Sequence, residues 1–236
     1  MYGTLYLIPC PISDETAPWD VLPAANRAVM DSLDYFIVEN TRSARRFLSK
    51  AGIARPIDTL EFRELNEHTV AGREVEELVK PLVEGRSAGV VSEAGVPGVA
   101  DPGALVVEAC HRHGIRVVPL VGPSSVILAV MASGLNGQSF AFNGYLPVKP
   151  PERVQAIRRF ERRAQSERQS QLFIEAPYRN VKLMEPLLQT LAPETRRTLA
   201  MDITAPGEYI RTLPVREWRS VRLPEMNRRP AIFIIG

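Results

Sequence analysis

The chain has 236 residues, and its 29 Lys and Arg residues against 27 Asp and Glu residues give a formal net charge of +2. This near balance neither requires nor excludes a polyanionic partner. The length is sufficient for one large domain or two smaller ones, each with its own hydrophobic core.

Targeting and redox signals favour a cytoplasmic protein. The two cysteines, Cys10 and Cys110, lie in unrelated contexts, and we interpret them as reduced thiols. The chain enters a strand pattern at once, without the basic segment and cleavage site of a signal peptide. The longest apolar stretch, near residues 126–132, is too short to span a bilayer, so no membrane partner is expected.

The first half of the chain alternates between short apolar runs and amphipathic segments. Strands are predicted at residues 4–8, 35–38 and 60–65, in an apolar run that begins near residue 89, and at 115–120. Helices are predicted at 21–33, 43–50, 70–83, 103–113 and 126–133. This alternation is typical of a doubly wound α/β domain with parallel strands, which we assign to residues 1–120.

Residues 89–103 are the stretch around which this domain is organised. The apolar run is followed by a loop of Gly, Ala and Pro, and then by Asp101 and Pro102, predicted as helix N-cap and first helical residue. The loop leaves the carboxyl end of a strand, where open α/β sheets bind ligands. Alone, it favours a structural turn. A second loop of small residues at 121–125 makes a ligand-binding crevice the better interpretation.

The second half starts a new α/β pattern, which we assign to a domain of residues 121–236. A new segment starts at residues 139–147, and its part from 143 to 147 is interpreted as a strand-end loop. Strands are predicted at 171–174, 198–203, 208–213 and 231–235, and helices at 152–167 and 180–191. Prolines interrupt the late strands, so we expect a mixed sheet. Two domains of this kind would leave a cleft between them.

Several familiar sites do not match the sequence. It has no P-loop and no Gly-x-Gly-x-x-Gly after the first strand, and its Cys and His residues lack zinc-ligand spacing, so no metal is expected. What remains are strand-end loops that carry the acids Glu39, Glu67, Glu93 and Glu175. Each acid alone is best interpreted as an exposed or ion-paired turn residue, but their shared placement favours a functional site.

Seven motifs in chain order carry a family resemblance. They are Pro9-x-Pro-Ile, Glu39-Asn-Thr-Arg, Asn66-Glu-His, Ser92-Glu-Ala-Gly-Val-Pro-Gly-Val-Ala-Asp-Pro-Gly, Gly122-Pro-Ser-Ser, Phe142-Asn-Gly-Tyr-Leu-Pro and Glu175-Ala-Pro-Tyr-Arg. Together they resemble the tetrapyrrole-methylase superfamily of S-adenosylmethionine-dependent methyltransferases. Within it, the chain looks most like the branch that methylates a cytidine ribose 2′-hydroxyl of small-subunit ribosomal RNA.

The resemblance implies two α/β domains, a homodimer, an RNA substrate, and S-adenosyl-L-methionine in the interdomain cleft. It implies that the cofactor touches residues from both halves of the chain. These are Pro11, Ala94, Gly95, Val99, Ser124, Ser125, Ala176 and Thr204. A sulfonium ligand suits such loops, since it needs backbone carbonyls and close approach rather than an arginine cradle.

The polar residues of the motifs depart from the ribosomal RNA branch. Ser13-Asp14 stands where that branch has Gly-Asn, Asn40 replaces an Asp, Glu93 replaces an Asp, and Tyr178 replaces a His. The small cofactor-facing residues are largely kept. The sequence therefore supports methyl transfer more strongly than it supports the RNA target.

Three residues are candidates for removing or positioning the proton of a ribose hydroxyl, namely Glu39, Glu93 and Tyr145. Arg42 and Arg45, beside the first of them, are candidates for holding substrate phosphate, although a solvated helix face explains them equally well. The basic face at residues 158–163 is better explained by solvation, with an extension of an RNA footprint as the alternative.

Two other functions stay open at this point. A tetrapyrrole or corrin carbon methyltransferase is disfavoured, because Ala94-Gly95-Val96-Pro97 stands where that group has Gly-Gly-Asp-Pro. A non-catalytic protein that binds S-adenosylmethionine is suggested by the altered acids.

Overall fold

In a computed structural model, residues 1–65 and 72–236 are described. The loop predicted at 66–69, with Glu67, and the predicted start of a helix at residue 70 lie outside the described residues. By its internal contacts the chain separates into two compact units, Met1–Ser124 and Ser125–Gly236. The boundary lies four residues beyond the expected one.

The first unit is a doubly wound α/β sheet. Its strands are β1 (Thr4–Ile8), β2 (Tyr35–Val38), β3 (Glu61–Glu64), β4 (Ala88–Val91) and β5 (Arg116–Pro119). Its helices are α1 (Pro18–Val21), α2 (Ala25–Ser32), α3 (Thr41–Ala51), α4 (Arg73–Val83) and α5 (Gly103–Arg112). The strand order is β3-β2-β4-β1-β5, and every pairing is parallel.

Helices cover both faces of this sheet, which explains why none of the three central strands carries a charged side chain. On one face Leu5 and Val90 pack with Val79 of α4 and Val106 of α5. On the other face Ile8 and Phe36 pack with side chains of α2 and α3. All four residues of β2 are buried.

One predicted helix start and one predicted N-cap in this unit are wrong. The helix expected from residue 21 begins at Ala25, because Pro23 separates it from the short α1. Within α2 the buried residues are Asn26 and Met30. The N-cap of α5 is Pro102 rather than Asp101.

The second unit is built on a mixed sheet, as predicted. Its strands are β6 (Phe140–Tyr145), β7 (Ser170–Ile174), β8 (Arg196–Met201), β9 (Tyr209–Pro214) and β10 (Ala231–Ile235). Its helices are α6 (Ser125–Ser133), α7 (Pro150–Ser166), α8 (Asn180–Thr190) and α9 (Val215–Trp218). The order is β6-β7-β10-β8-β9, with β6 and β7 parallel and the other pairs antiparallel.

Each face of the second sheet has its own core. Ala129 and Val130 of α6 pack on Leu172 and Ile234 on one face. On the other face, residues of α7, α8 and α9 surround a stack in which the rings of Phe173 and Phe233 lie 5.8 Å apart. Among residues 1–65 and 72–236, no helix is long and apolar enough to cross a membrane.

Candidate functional site

The carboxyl ends of β1 and β4 form a crevice at one edge of the first sheet. The two strands are neighbours, and their connections depart in opposite directions, from β1 towards β2 and from β4 towards β5. Parallel sheets bind ligands at such a point, because the departing loops leave a gap between them. Here the loops are residues 9–12 and 92–101.

Cys10 links these two loops through hydrogen bonds. Its backbone N–H donates to the carbonyl oxygen of Gly95 at 2.9 Å, and its Sγ donates to the carbonyl oxygen of Ser92 at 3.2 Å. Burial raises the pKa of Cys10 to about 12. The thiol therefore stays protonated and serves as a donor rather than as a nucleophile.

Two glycines permit close packing of the loops at residues 9–12, 92–101 and 121–125. Gly95 has φ +74°, and a Cβ at this position would lie 3.2 Å from the carbonyl oxygen of Pro123. Gly122 is packed more tightly still, since its Cβ would lie 2.3 Å from two ring carbons of Pro9. Side chains at these two positions would push the loops apart.

Three carboxyl groups gather at this edge. An oxygen of Glu39 accepts a hydrogen bond from the backbone N–H of Glu93 at 2.9 Å, and the Glu93 carboxylate accepts from Ser43 Oγ at 3.2 Å. Oδ1 of Asp101 accepts from the backbone N–H of Gly98 at 3.1 Å and of Gly103 at 2.7 Å. Asp101 thus fixes the turn that enters α5.

The partly buried Glu39 is the acid best suited to exchange a proton. Burial raises its pKa above the usual range, and the nearby carboxylates of Asp101 and Glu93 add to the rise. Asp101 also lies within side-chain hydrogen-bonding reach of Glu39. The sequence context of Asp101 indicates a helix cap only. Glu39 and Asp101 are about sixty residues apart in the chain, so no local sequence pattern predicts that they lie close together.

The arginines beside Glu39 differ in how far they are engaged. Arg45 forms an ion pair with Asp58 and lies 5.9 Å from the centre of the Phe62 ring. Arg46 pairs with Asp14 at 2.8 Å. Arg42 is exposed and has no ion pair with any residue in the described ranges 1–65 and 72–236. Of the two predicted phosphate ligands, Arg42 is the one whose charge is available.

An apolar cavity of about 390 Å³ borders the organising loop in the first unit. That volume is in the usual range for a small-molecule site. The lining has no charged side chain; it comprises Leu7, the loop residues 96–99, Ala104, Val107, Pro119 and Leu120. Val99, a predicted cofactor residue, is therefore placed to contact an apolar part of a ligand.

The second unit presents its own predicted residues at one edge of its sheet. β6, β7 and β8 run in the same direction, so Tyr145, Ala176 and Thr204, at or just beyond their carboxyl ends, share that edge. Tyr145 is 62% exposed. Thr204 has φ +70°, and its backbone N–H donates to Glu208 at 2.9 Å.

Glu175 has a structural role at this edge. Its side chain is buried, pairs with Arg179 at 2.6 Å, and accepts the backbone N–H of Ala176 at 2.8 Å. The remaining predicted serines lie at the boundary, where Ser124 ends the first unit and Ser125 opens α6. Each unit therefore gathers most of its predicted site residues at one sheet edge.

Comparison with known proteins finds a matching family and similar proteins. The family described as Tetrapyrrole (Corrin/Porphyrin) Methylases matches residues 5–218. The protein named Ribosomal RNA small subunit methyltransferase I of Vibrio cholerae serotype O1 is 32% identical over 231 residues, which cover 98% of this chain and 75% of that protein. Its namesake from Escherichia coli O157:H7 is 32% identical over 233 residues, 99% of this chain and 77% of that protein.

Solved structures show the same fold at lower identity. The methyltransferase CobJ aligns with a TM-score of 0.64 and 19% identity, over 99% of this chain and 94% of its own. Uroporphyrin-III-C-methyltransferase from Thermus thermophilus aligns with a TM-score of 0.52 and 19% identity, over 100% and 93% respectively.

Proposed function

Because the chain belongs to the tetrapyrrole methylase family and is a methyltransferase that uses S-adenosylmethionine, we propose that its methyl acceptor is RNA of the small ribosomal subunit. The observation that carries this proposal is the similarity to proteins named for that activity over nearly the whole chain. The low-identity fold relatives give no comparable support for a tetrapyrrole acceptor, since a shared fold alone does not indicate a substrate.

The loop residues fit a methyl donor of this kind. When bound, S-adenosylmethionine supplies a methyl carbon made electrophilic by a positive sulfur. In the first unit we assign its contacts to Pro11, Ala94, Gly95, Val99 and Ser124, and in the second unit to Ser125, Ala176 and Thr204. The close packing at Gly95 and the apolar cavity beside Val99 support this assignment, since a sulfonium ligand needs close approach rather than a basic pocket.

The acceptor that best suits Glu39 is a ribose 2′-hydroxyl. In the proposed reaction the hydroxyl oxygen bonds to the methyl carbon, the carbon–sulfur bond breaks, and the Glu39 carboxylate takes the hydroxyl proton. A raised pKa makes Glu39 a better proton acceptor than an ordinary glutamate. Alignment of the two reactants lowers the activation free energy further, by up to roughly 7–11 kcal/mol in favourable cases.

The neighbouring groups have supporting roles in this proposal. The backbone N–H of Glu93 holds the Glu39 carboxylate, which makes Glu93 a positioning residue. The exposed hydroxyl of Tyr145 is assigned to contact the acceptor nucleotide. Arg42, whose guanidinium has no ion pair among the described residues, is the better of the two predicted phosphate ligands.

The test is methylation of small ribosomal subunits by the purified protein. Subunits from a strain that lacks this protein would be incubated with tritiated S-adenosylmethionine, and the modified RNA digested to nucleosides. We expect label in RNA as a 2′-O-methylated nucleoside, and none with Gly95→Arg. Label on a base would refute the ribose assignment. Absence of label in RNA, with S-adenosylhomocysteine still bound, would refute the RNA acceptor.

We also propose that the chain forms a homodimer. Each unit exposes a large apolar side chain, Val121 in the first and Met131 in the second, and these residues are 71% and 73% exposed. Cover by a second copy of the chain would remove these side chains from water. Light scattering coupled to size exclusion should give twice the chain mass of 26.3 kDa; a monomer at micromolar concentration would refute the proposal.

A further inference from the structure

The two units carry opposite charge, which the net value for the whole chain conceals. Met1–Ser124 contains twelve Lys and Arg residues against seventeen Asp and Glu residues, an excess of five negative charges. Ser125–Gly236 contains seventeen basic and ten acidic residues, an excess of seven positive charges. A charge asymmetry of this kind between halves of a chain points to a polyanion that binds one half.

Helix α7 carries a net three of the seven excess positive charges of the second unit. This helix of 17 residues contains five arginines and two glutamates. It buries Ile157, Phe160 and Ala164 against the sheet. Arg158, Arg159 and Arg162 are exposed and lie within one turn of each other on the side away from that core. We call these three residues the α7 arginine face.

The acids near this face are engaged elsewhere. Oε1 of Glu161 accepts from the backbone N–H of Ala192 at 2.7 Å and from the Thr195 hydroxyl. Glu152 pairs with Lys149, and Glu167 pairs with Arg163. Within the described parts of the chain, the α7 arginine face therefore has no carboxylate partner.

The other two arginines of α7 are used within the fold. Arg153 donates to the carbonyl oxygens of Pro147 and Val148 at 3.0 and 2.6 Å, and Arg163 binds Glu167. The α7 arginine face instead places like charges at helical spacings of three and four residues, which disfavours an isolated helix. An external anion would remove this repulsion.

We propose that the α7 arginine face binds the phosphate backbone of the RNA substrate. This inference rests on the proposed function and moves most of the RNA footprint to the second unit. The arginines of α3 in the first unit are less suited to this role, since Asp58 and Asp14 neutralise Arg45 and Arg46. Phosphate contacts of this kind position an RNA and carry no base specificity.

The test compares two triple variants that change the net charge equally. One is Arg158→Gln, Arg159→Gln and Arg162→Gln. The control is Arg55→Gln, Arg63→Gln and Arg112→Gln in the first unit. Arg55 donates to the backbone carbonyl of Asp31, and Arg63 and Arg112 form ion pairs with Glu61 and Glu76, respectively. Binding of a fluorescein-labelled hairpin of small-subunit ribosomal RNA would be measured between 50 and 200 mM KCl.

In a plot of log affinity against log salt concentration, we expect the slope of the α7 variant to be smaller in magnitude by about 2–3. The reason is that each lost phosphate contact reduces the slope by about 0.7–0.9. The control should keep the slope of the parent protein, and a version with three lysines in place of the α7 arginines should restore it. Affinity for S-adenosylhomocysteine should not change in the α7 variant, and the variant should stay folded.

Several outcomes would overturn this inference and leave the proposed function intact. One such outcome is the same salt slope for the α7 variant, the control and the parent. Another is an equal reduction of the salt slope in both variants. Both outcomes apply if the parent methylates ribosomal RNA. Loss of binding to phosphatidylserine vesicles without any change in RNA binding would assign the face to a lipid surface instead. If the parent protein neither binds nor methylates RNA, the proposed function itself is refuted.

Discussion

Replacement of Gly95 by alanine separates the strain of a left-handed backbone from the packing of the cofactor loop. Gly114 is a matched control, because its φ of +69° is close to the +74° of Gly95 and a Cβ there would meet nothing within 4 Å. A side chain in this region costs about 1–2 kcal/mol at either position. Only at Gly95 would the new Cβ also press on the carbonyl oxygen of Pro123, at 3.2 Å.

Both variants should therefore lose the free energy that the left-handed backbone costs, measured by urea denaturation, and Gly95→Ala should lose somewhat more because of its contact with Pro123. Their affinities for S-adenosylhomocysteine should differ. We expect calorimetry to show binding to Gly95→Ala at least about tenfold weaker than binding to Gly114→Ala, a difference of about 1.4 kcal/mol. The reason is that the loop must move by a few tenths of an ångström away from Pro123. Equal affinities in two folded variants would show that the close packing at Gly95 has no bearing on the cofactor.

Three further predictions concern groups in unusual environments. Glu39→Gln should lower the methylation rate by about 10²–10⁴-fold and leave S-adenosylhomocysteine binding intact, and an unchanged rate would exclude Glu39 as the base. Because only ionised Glu39 accepts a proton, activity should fall as pH drops through its raised pKa. Asp101→Asn removes a negative neighbour, so this fall should move to lower pH; a shift to higher pH would contradict the pairing. Burial lowers the pKa of Arg197 to about 9, and two of its nitrogens have no hydrogen-bond partner among the described residues. Arg197→Met should therefore raise the free energy of unfolding by about 1–4 kcal/mol in urea titrations, whereas a loss would mean that its stacking on Trp218 is the larger effect.

Much of the fold could be predicted because its elements have strong local patterns. β1, β2 and β10 have the expected bounds, since each is an apolar run between turn residues. Gly52 ends α3 in the left-handed conformation, as its position after a helical pattern predicts. The start of α2 was wrong because apolar periodicity continues through Pro23, although proline interrupts the helix there.

The site was less accessible to sequence reasoning, because its geometry depends on distant contacts. The contact of Cys10 with Ser92 joins residues 82 apart, and the proximity of Asp101 to Glu39 comes from two loops at neighbouring strand ends. A turn residue can be recognised locally, but its partner across the sheet cannot. Asp101 was consequently identified as a cap rather than as a neighbour of Glu39.

The charge asymmetry, by contrast, was present in the sequence and was concealed by averaging over the whole chain. None of residues 121–124 is charged, so a count on either side of the expected boundary gives the same excess of five negative and seven positive charges. The asymmetry also agrees with the two ligands proposed. Carboxylates at the crevice of the first unit attract a sulfonium ion, whereas the arginine-rich second unit attracts phosphate. Added salt should therefore weaken RNA binding steeply and the binding of S-adenosylhomocysteine, which lacks the sulfonium charge, very little.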